Sequence, residues 1–417
     1  MCACAARSRR FLALAACVAL ALAGCLNDLP TKTSDSPYAD RESVAERVAR
    51  TNELASRLYH QLAETEGNLL VSPPSIAVCA AMAYAGAQGS TKHQMTSALC
   101  FWHSQADFHA TMKALNDTLL GRGADQGPDA FRLSFANGCW GADYWPYSAD
   151  YLNLLLVQYG AVMQMLDFAG HPDESLETIN QWVADHTEGR VQNLLPPGSI
   201  DASTYLVLAT TIWLRASWLH QFDPEYTSNR EFTLLDGTSI QLPTMEGEEV
   251  FPYREFEGFR AVELPYVGDA VSMYLILPDA GQFATFEAGF DSRRLDDIVE
   301  GLVPRGIWLG LPKFSFESAF DLVATLQSLG MVDAFGPGAN FTGMDGVDDG
   351  VPWISEAVHK TFISVDEYGT EAAAGMGMCL TVGEHPVFRA NRPFIFIIRD
   401  KPTGTILFLG RVLDPRG

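Results

Sequence analysis

Eight cysteines and nine histidines are the residues of this 417-residue chain best suited to covalent or metal chemistry, and their spacing gathers them into no site. There is no Gly-x-Ser-x-Gly elbow, no His-Glu-x-x-His helix and no phosphate-cradling glycine loop. An enzyme is therefore not expected, and neither is a cofactor or a metal. The informative stretch is Glu367-Tyr-Gly-Thr-Glu-Ala-Ala-Ala-Gly-Met-Gly-Met378. At a period of two, Thr370, Ala372, Ala374, Met376, Met378, Leu380 and Val382 form one face, apolar after its first residue. Glu371, Ala373, Gly375, Gly377, Cys379 and Thr381 form the other, small or polar. That alternation fits a half-buried strand. Its glycines and its low side-chain bulk make it a poor strand by intrinsic preference. A segment that can fit a sheet without starting there is a candidate moving part.

Composition limits what such a part can serve. Hydrophobic residues make up 47% of the chain, enough for one large core. The 51 acidic residues outnumber 28 basic ones, giving a formal charge of −23 that disfavours nucleic-acid binding. Arg7, Arg9 and Arg10 precede an apolar run from Phe11 to Leu22, which is short for a bilayer span. The run ends in Leu22-Ala23-Gly24-Cys25, which resembles the bacterial lipobox. The expectation is a signal peptide over residues 1–24, lipidation of Cys25, a polar tether to about residue 42, and anchoring by acyl chains outside the cytoplasm. Cys79, Cys100, Cys139 and Cys379 are then the remaining thiols, with no metal-ligand spacing. Cys79 and Cys139 lie in apolar runs and read as buried thiols.

The elements that must position the moving part follow in order. Val44, Val48, Leu54, Leu58 and Leu62 recur near helical spacing. Leu69 to Val71 reads as a short buried strand. Ser72-Pro73-Pro74 reads as the start of a helix, with Ser72 as its cap. Further helices are expected over about 148–157 and 173–187, the second with Ile179, Trp182 and Val183 on one face. Strand-like runs then dominate: Tyr205 to Leu214, Phe259 to Tyr266, Val271 to Leu277, Ile307 to Phe316, Phe362 to Asp366, Phe394 to Ile398 and Thr405 to Val412. Helices early and strands late, without regular alternation, argue an α+β domain over 43–417.

Ordered motifs over most of the chain resemble the serpins. They are Gly67-Asn-Leu-Leu-Val-Ser-Pro-Pro-Ser-Ile76, Ala136-Asn137 with Trp140, Ile179-Asn-Gln-Trp-Val183 with Thr187, Gly189 and Leu194-Leu-Pro196, and Leu311-Pro-Lys-Phe314 with Leu326 to Gly330. Ala357-Val-His-Lys360 through Ala374, then Asn391-Arg-Pro-Phe394 and Phe408-Leu-Gly-Arg411, complete the series. The resemblance implies three β-sheets, eight or nine helices and an exposed reactive-centre loop over about 368–390. It implies a suicide-substrate inhibitor, acting as a monomer on a serine protease, with a cysteine protease as the alternative. Cleavage of the loop leads to its insertion in the central sheet, trapping the acyl-enzyme.

On that resemblance Glu367, Gly369, Thr370, Glu371, Ala372, Ala373 and Ala374 form the hinge. Ser72, Ser75, His359, Thr210 and Trp218 line the region where the sheet opens. Thr210 stands where the family commonly has asparagine, which weakens the expected bond to His359. Met376 and Gly375 depart from the usual small hydroxyl residue and alanine, and both slow insertion. Counting forward from the hinge puts the bait bond after Gly383, before Glu384; counting back from Phe394 puts it after Val382. Either choice favours elastase-, subtilisin- or chymotrypsin-like proteases over trypsin-like ones. The alternative is a non-inhibitory serpin that binds a ligand or is cut as a plain substrate.

Overall fold

The computed structural model describes residues 41–101, 104–123, 127, 131–345, 353–370 and 385–417. The elements run α1 (Arg41–Leu62), β1 (Leu69–Val71), α2 (Pro73–Tyr84), α3 (Gly89–Ala98), α4 (Gln105–Leu120), β2 (Phe131–Ala142), α5 (Ala149–Tyr159), β3 (Met163–Leu166), α6 (Pro172–His186) and β4 (Leu206–Ser217). After them come β5 (Ser228–Thr233), β6 (Ser239–Phe256), β7 (Phe259–Pro265), β8 (Val271–Pro278), α7 (Phe283–Ala288), α8 (Ser292–Gly301), β9 (Val303–Pro312), β10 (Phe314–Asp321) and α9 (Val323–Ser328). The chain closes with β11 (Val358–Asp366), β12 (Gly369–Thr370), β13 (Val387–Arg389), β14 (Phe394–Asp400) and β15 (Ile406–Val412). The fold is α+β.

Two hydrogen-bonded sheets carry the architecture. One has six strands in the order β10-β11-β12-β4-β2-β3. The other runs β1-β15-β14-β8-β7-β6-β9-β13, with β5 on β6. Strand β6 is 18 residues long and pairs with β5, β9 and β7 in turn. It thereby joins what the family resemblance treats as two sheets into one ladder. Apolar residues of both sheets, including Leu214, Ala216, Val365, Phe314, Leu264 and Met273, meet in a shared core. Helix α6 covers the opposite face of the six-stranded sheet. Its Ile179 and Val183 pack with Trp140 of β2 and Ala209 of β4.

Several sequence expectations change. The apolar run Ile307 to Phe316 is not one strand. Lys313 divides it, β9 pairs with β6 in the larger sheet, and β10 pairs with β11 in the smaller one. Ser72 occupies the N-cap of α2, but its hydroxyl makes no capping bond and is buried without a partner. Pro74 removes the N2 donor, yet the N3 amide of Ser75, the position that Asp107 and Tyr151 use with Ser104 and Ser148, is left, so the prolines alone do not account for it. Cys139 is buried, whereas Cys79 is half-buried. Helices α3 and α4 and the strand β6 were not anticipated. Helix α3 lacks a long apolar stripe and β6 carries Glu246, Glu248 and Glu249 in its middle, whereas α4 buries Phe108, Met112, Leu115 and Leu119 at helical spacing, a signal that was there to read.

Candidate functional site

The site is built where β11 hands the chain to β12. Strand β11 ends at Asp366, whose Oδ1 accepts the amides of Tyr368 at 2.9 Å and Gly369 at 3.3 Å, closing a tight turn. Gly369 has φ +152°, and a Cβ there would lie 2.1 Å from the carbonyl oxygen of Ala216. Only glycine fits so close a backbone approach. Thr370 then lies between two strands, opposite Ala216 of β4 and Val365 of β11, antiparallel to both. It is 3% exposed, and Glu367 is 5% exposed. The first hinge residues thus sit inside the sheet, contrary to the expectation of an exposed stretch from 368.

Aromatic and polar contacts hold this turn. Trp218 donates its amide to Tyr368 O at 2.8 Å and its Nε1 proton to Asp366 O at 3.0 Å. Its ring stacks on Tyr266 at 4.7 Å between centroids. The Tyr266 hydroxyl meets Thr370 Oγ1 at 2.7 Å. Burial pushes the Tyr266 phenol up, so it stays neutral. Glu367 accepts from Lys313 Nζ at 2.7 Å and from Thr227 Oγ1 at 2.8 Å. Burial alone would push its carboxyl up, but these bonds hold it below the usual carboxylate range. Trp218 came from the resemblance. Tyr266 and Lys313 carried no separate signal, since their partners lie 104 and 54 residues away in the chain.

Among the described residues, β12 is the strand that bridges β4 and β11, and no described strand pairs with the facing edges of β4 before Ala216 or β11 before Val365. At this level lies the opening region. His359 of β11 accepts the amide of Ser72 through Nε2 at 3.1 Å. The bond therefore reaches the start of α2 rather than crossing the strands. Burial pushes His359 down to about 4, so it is neutral at ordinary pH. Ser75 Oγ donates to Thr210 O at 3.1 Å. The hydroxyls of Ser72 and Thr210 are both buried without partners. Thr210 pairs in register with Asn137, whose Nδ2 donates to Tyr159 O at 2.9 Å.

The downstream side rests on the other sheet. His385 Nε2 lies 3.0 Å from Glu248 Oε1. Three residues of β13 pair in parallel with β9. Arg389 Nη2 contacts Glu246 Oε1 at 2.7 Å, while Arg230 Nη2 contacts Oε2 at 2.5 Å. Burial opposes ionisation of Glu246, but the two guanidinium groups hold its carboxyl below the usual range. Nothing in the sequence had marked this cluster. Glu371, Ala372, Ala373, Ala374, Val382, Gly383, Glu384 and Cys25 lie outside the described residues.

Known proteins place this arrangement. The family model described as Serpin (serine protease inhibitor) matches residues 49–415. An uncharacterized serpin-like protein of Methanosarcina acetivorans is 33% identical, with 95% of each chain covered. The leukocyte elastase inhibitor of Equus caballus is 34% identical over 86% of this chain and 96% of its own. Among solved structures, a thyroxine-binding globulin complex with thyroxine matches with a TM-score of 0.79 at 27% identity, covering 89% of this chain and all (100%) of that one. The chain belongs to the serpins, a family whose members are generally protease inhibitors rather than enzymes.

Proposed function

We propose that this serpin is a suicide-substrate inhibitor whose cut loop inserts between β4 and β11. The observation carrying this reading is β12: the hinge already lies between both strands, antiparallel to each. Continuing the same register sets Met376 opposite Thr210 and His359, and Leu380 opposite Leu206. Residues at even positions then share the face of Thr370, Ala216 and Val365, which looks into the core between the sheets. Those at odd positions pass on the side of Ala209, beneath α6. The alternation in the sequence matches: Met376, Met378 and Leu380 go inward, and the small residues go under the helix. Burying those three contributes roughly 5–9 kcal/mol, before new sheet hydrogen bonds. From Gly369 to Gly383 the strand spans about 46 Å at ~3.3 Å per residue, enough to carry an acyl bond along the sheet.

The bait bond follows Gly383 or Val382, and the targets are elastase-, subtilisin- or chymotrypsin-like proteases. Lipidation at Cys25 and the polar tether display the inhibitor outside the cytoplasm as a monomer. Incubation with elastase and subtilisin followed by a denaturing gel tests the mechanism. An SDS-stable complex supports it, and cleavage without any complex across a protease panel refutes it.

One observation favours a second reading. The extrapolated register puts the thioether of Met376 against the unpartnered hydroxyls of Ser72 and Thr210. A thioether is a weak acceptor there, so insertion slows and more protease escapes. A non-inhibitory serpin would lie at the end of that trend. Melting separates the two readings, because an inserting loop raises the transition once cut and a non-inserting one leaves it unchanged.

A further inference from the structure

Strand β3 is the last strand of the six-stranded sheet, and no described strand pairs with its outer side. Leu166 O accepts the amide of Asp143 from the β2 side at 3.1 Å. Along the strand, Leu166 and Gln164 therefore turn their peptide groups toward β2, and Met163 and Met165 turn theirs outward. Unpaired edge groups of this kind are a template for another strand, and edges are commonly blunted by charge or proline. Met163-Gln-Met-Leu166 carries neither. Met165 is 47% exposed, and Val162, just before the strand, is 65% exposed.

The two faces of β3 differ. Leu166 packs against the core that holds Ile179 and Val183 of α6, and Gln164, two residues earlier, shares that face. Met163 packs on the other side, against the core containing Tyr151 and Leu155 of α5, and Met165 shares that side. On the Gln164 face the edge opens into a groove of about 1310 Å³ along α6. Its wall includes Glu177, Asn180, Gln181, Asp185 and Glu188, and no lysine or arginine lines it. Glu188 is paired with Arg132 at 2.9 Å. Asp185 accepts from Gln181 Nε2 at 2.7 Å, and among the described residues no cation pairs with Asp185 or Glu177.

We propose that the edge of β3 and this groove together bind an extended segment of a partner protein in which arginine alternates with apolar residues. Its backbone adds to the outward peptide groups of Met163 and Met165 as a further strand. The residue set beside Gln164 points toward α6, where a guanidinium reaches the carboxylates of Glu177 and Asp185. The residues on either side of it point the other way and cover Met165. Charge selects the occupant: the chain carries a formal charge of −23, so a basic segment is drawn in and an acidic one is repelled. Arginine suits the groove better than lysine, because its planar fork serves carboxylates and carboxamides at once. Strands β2 and β4 separate this edge from the gap between β4 and β11, so the site does not rest on the inhibitory reading.

The test titrates the full chain into a fluorescein-labelled hexapeptide of alternating arginine and valine and follows its anisotropy. Saturable binding is expected, weakening as salt rises. Glu177→Gln and Asp185→Asn should each weaken it about fivefold, a modest loss because the groove is open to solvent. Glu64→Gln removes the same charge outside the groove and should leave binding unchanged. The same hexapeptide methylated on alternate backbone nitrogens keeps its charge but cannot donate to β3, and should bind about tenfold more weakly. Absence of saturable binding, equal affinity for the methylated peptide, or equal losses from Glu64→Gln and Glu177→Gln would each overturn the proposal. A free chain that sediments as a dimer, and is dissociated by Gln164→Pro, would assign the edge to a second copy and overturn it as well. The methylated peptide needs no variant of the protein, so it decides even where a substitution unfolds the chain.

Discussion

Two anchors of opposite character flank residues 371–384. Upstream, Gly369 and Thr370 are held by backbone pairing on both sides, a ring stack and a neutral hydroxyl pair with Tyr266. Downstream, β13 is three residues long, and its Arg389 reaches past Gly310 of β9 to Glu246 of β6, which Arg230 of β5 also holds. The upstream anchor suits continuation: among the described residues, those set against Thr370 are Ala216, Val365 and Tyr266, none of them charged. The downstream anchor suits retention, since detaching β13 leaves a buried carboxylate with one of its two cations removed. The two therefore part at a cut rather than drifting together.

Cutting the loop should produce the largest effect on this asymmetry. The cleaved protein should gain roughly 5–9 kcal/mol from apolar burial, read as a raised urea midpoint. Equal midpoints for cut and intact chains would erase the distinction between the anchors. Next comes Ala372→Arg, because Thr370 is already buried in the uncut chain. On the proposed register a guanidinium at 372 would enter the core only on insertion, at a cost of several kcal/mol, so protease should still cut the loop while the SDS-stable complex disappears. Glu246→Gln attacks the other side. It removes the buried anion between two arginines whose side chains are 47% and 40% exposed, so the loss is screened and should be about 1–2 kcal/mol, seen in urea melts of the uncut chain.

Acid separates the two regions further. His359 is neutral in the fold down to about pH 4, whereas an unfolded histidine takes up a proton near 6.5. The unfolded state then binds more protons as pH falls from 6.5 to 4, and stability drops on the order of 3 kcal/mol over that window. His359→Gln should flatten this part of the slope in urea midpoints, leaving the part due to His109, which burial lowers to about 3. Glu246 and Glu367 have lowered carboxyls, so their contribution persists above the ordinary carboxylate range and fades only at lower pH. The smallest change is expected at Ser72→Ala. With no capping bond to lose, it should cost less than the ~1 kcal/mol usual for a helix cap.

What the sequence made legible was what repeats locally. The apolar periods of α1 and α6 and the strands β7, β8, β14 and β15 could be read directly. The two-residue alternation after Thr370 indicated a strand that could be added; the residues that carry it lie outside the described ones. Contacts made by distant residues stayed hidden. Tyr266 under Thr370, Lys313 against Glu367 and the Arg230–Glu246–Arg389 cluster depend on strands brought together only by the fold. Lys313 ending a strand also defeated the hydrophobic run from Ile307 to Phe316, because pattern alone does not show when a chain changes sheets. Ser72 shows the reverse error: it holds the N-cap position that the local rule picks out, yet its hydroxyl makes no capping bond.

The continuous strand β6 has a mechanical consequence. On the proposed mechanism a protease dragged along one sheet would apply tension to the molecule, and β6 registers with β5, β9 and β7 along its 18 residues. That load would be spread as shear over three ladders instead of peeling a single hairpin, leaving the scaffold a rigid frame for a travelling loop.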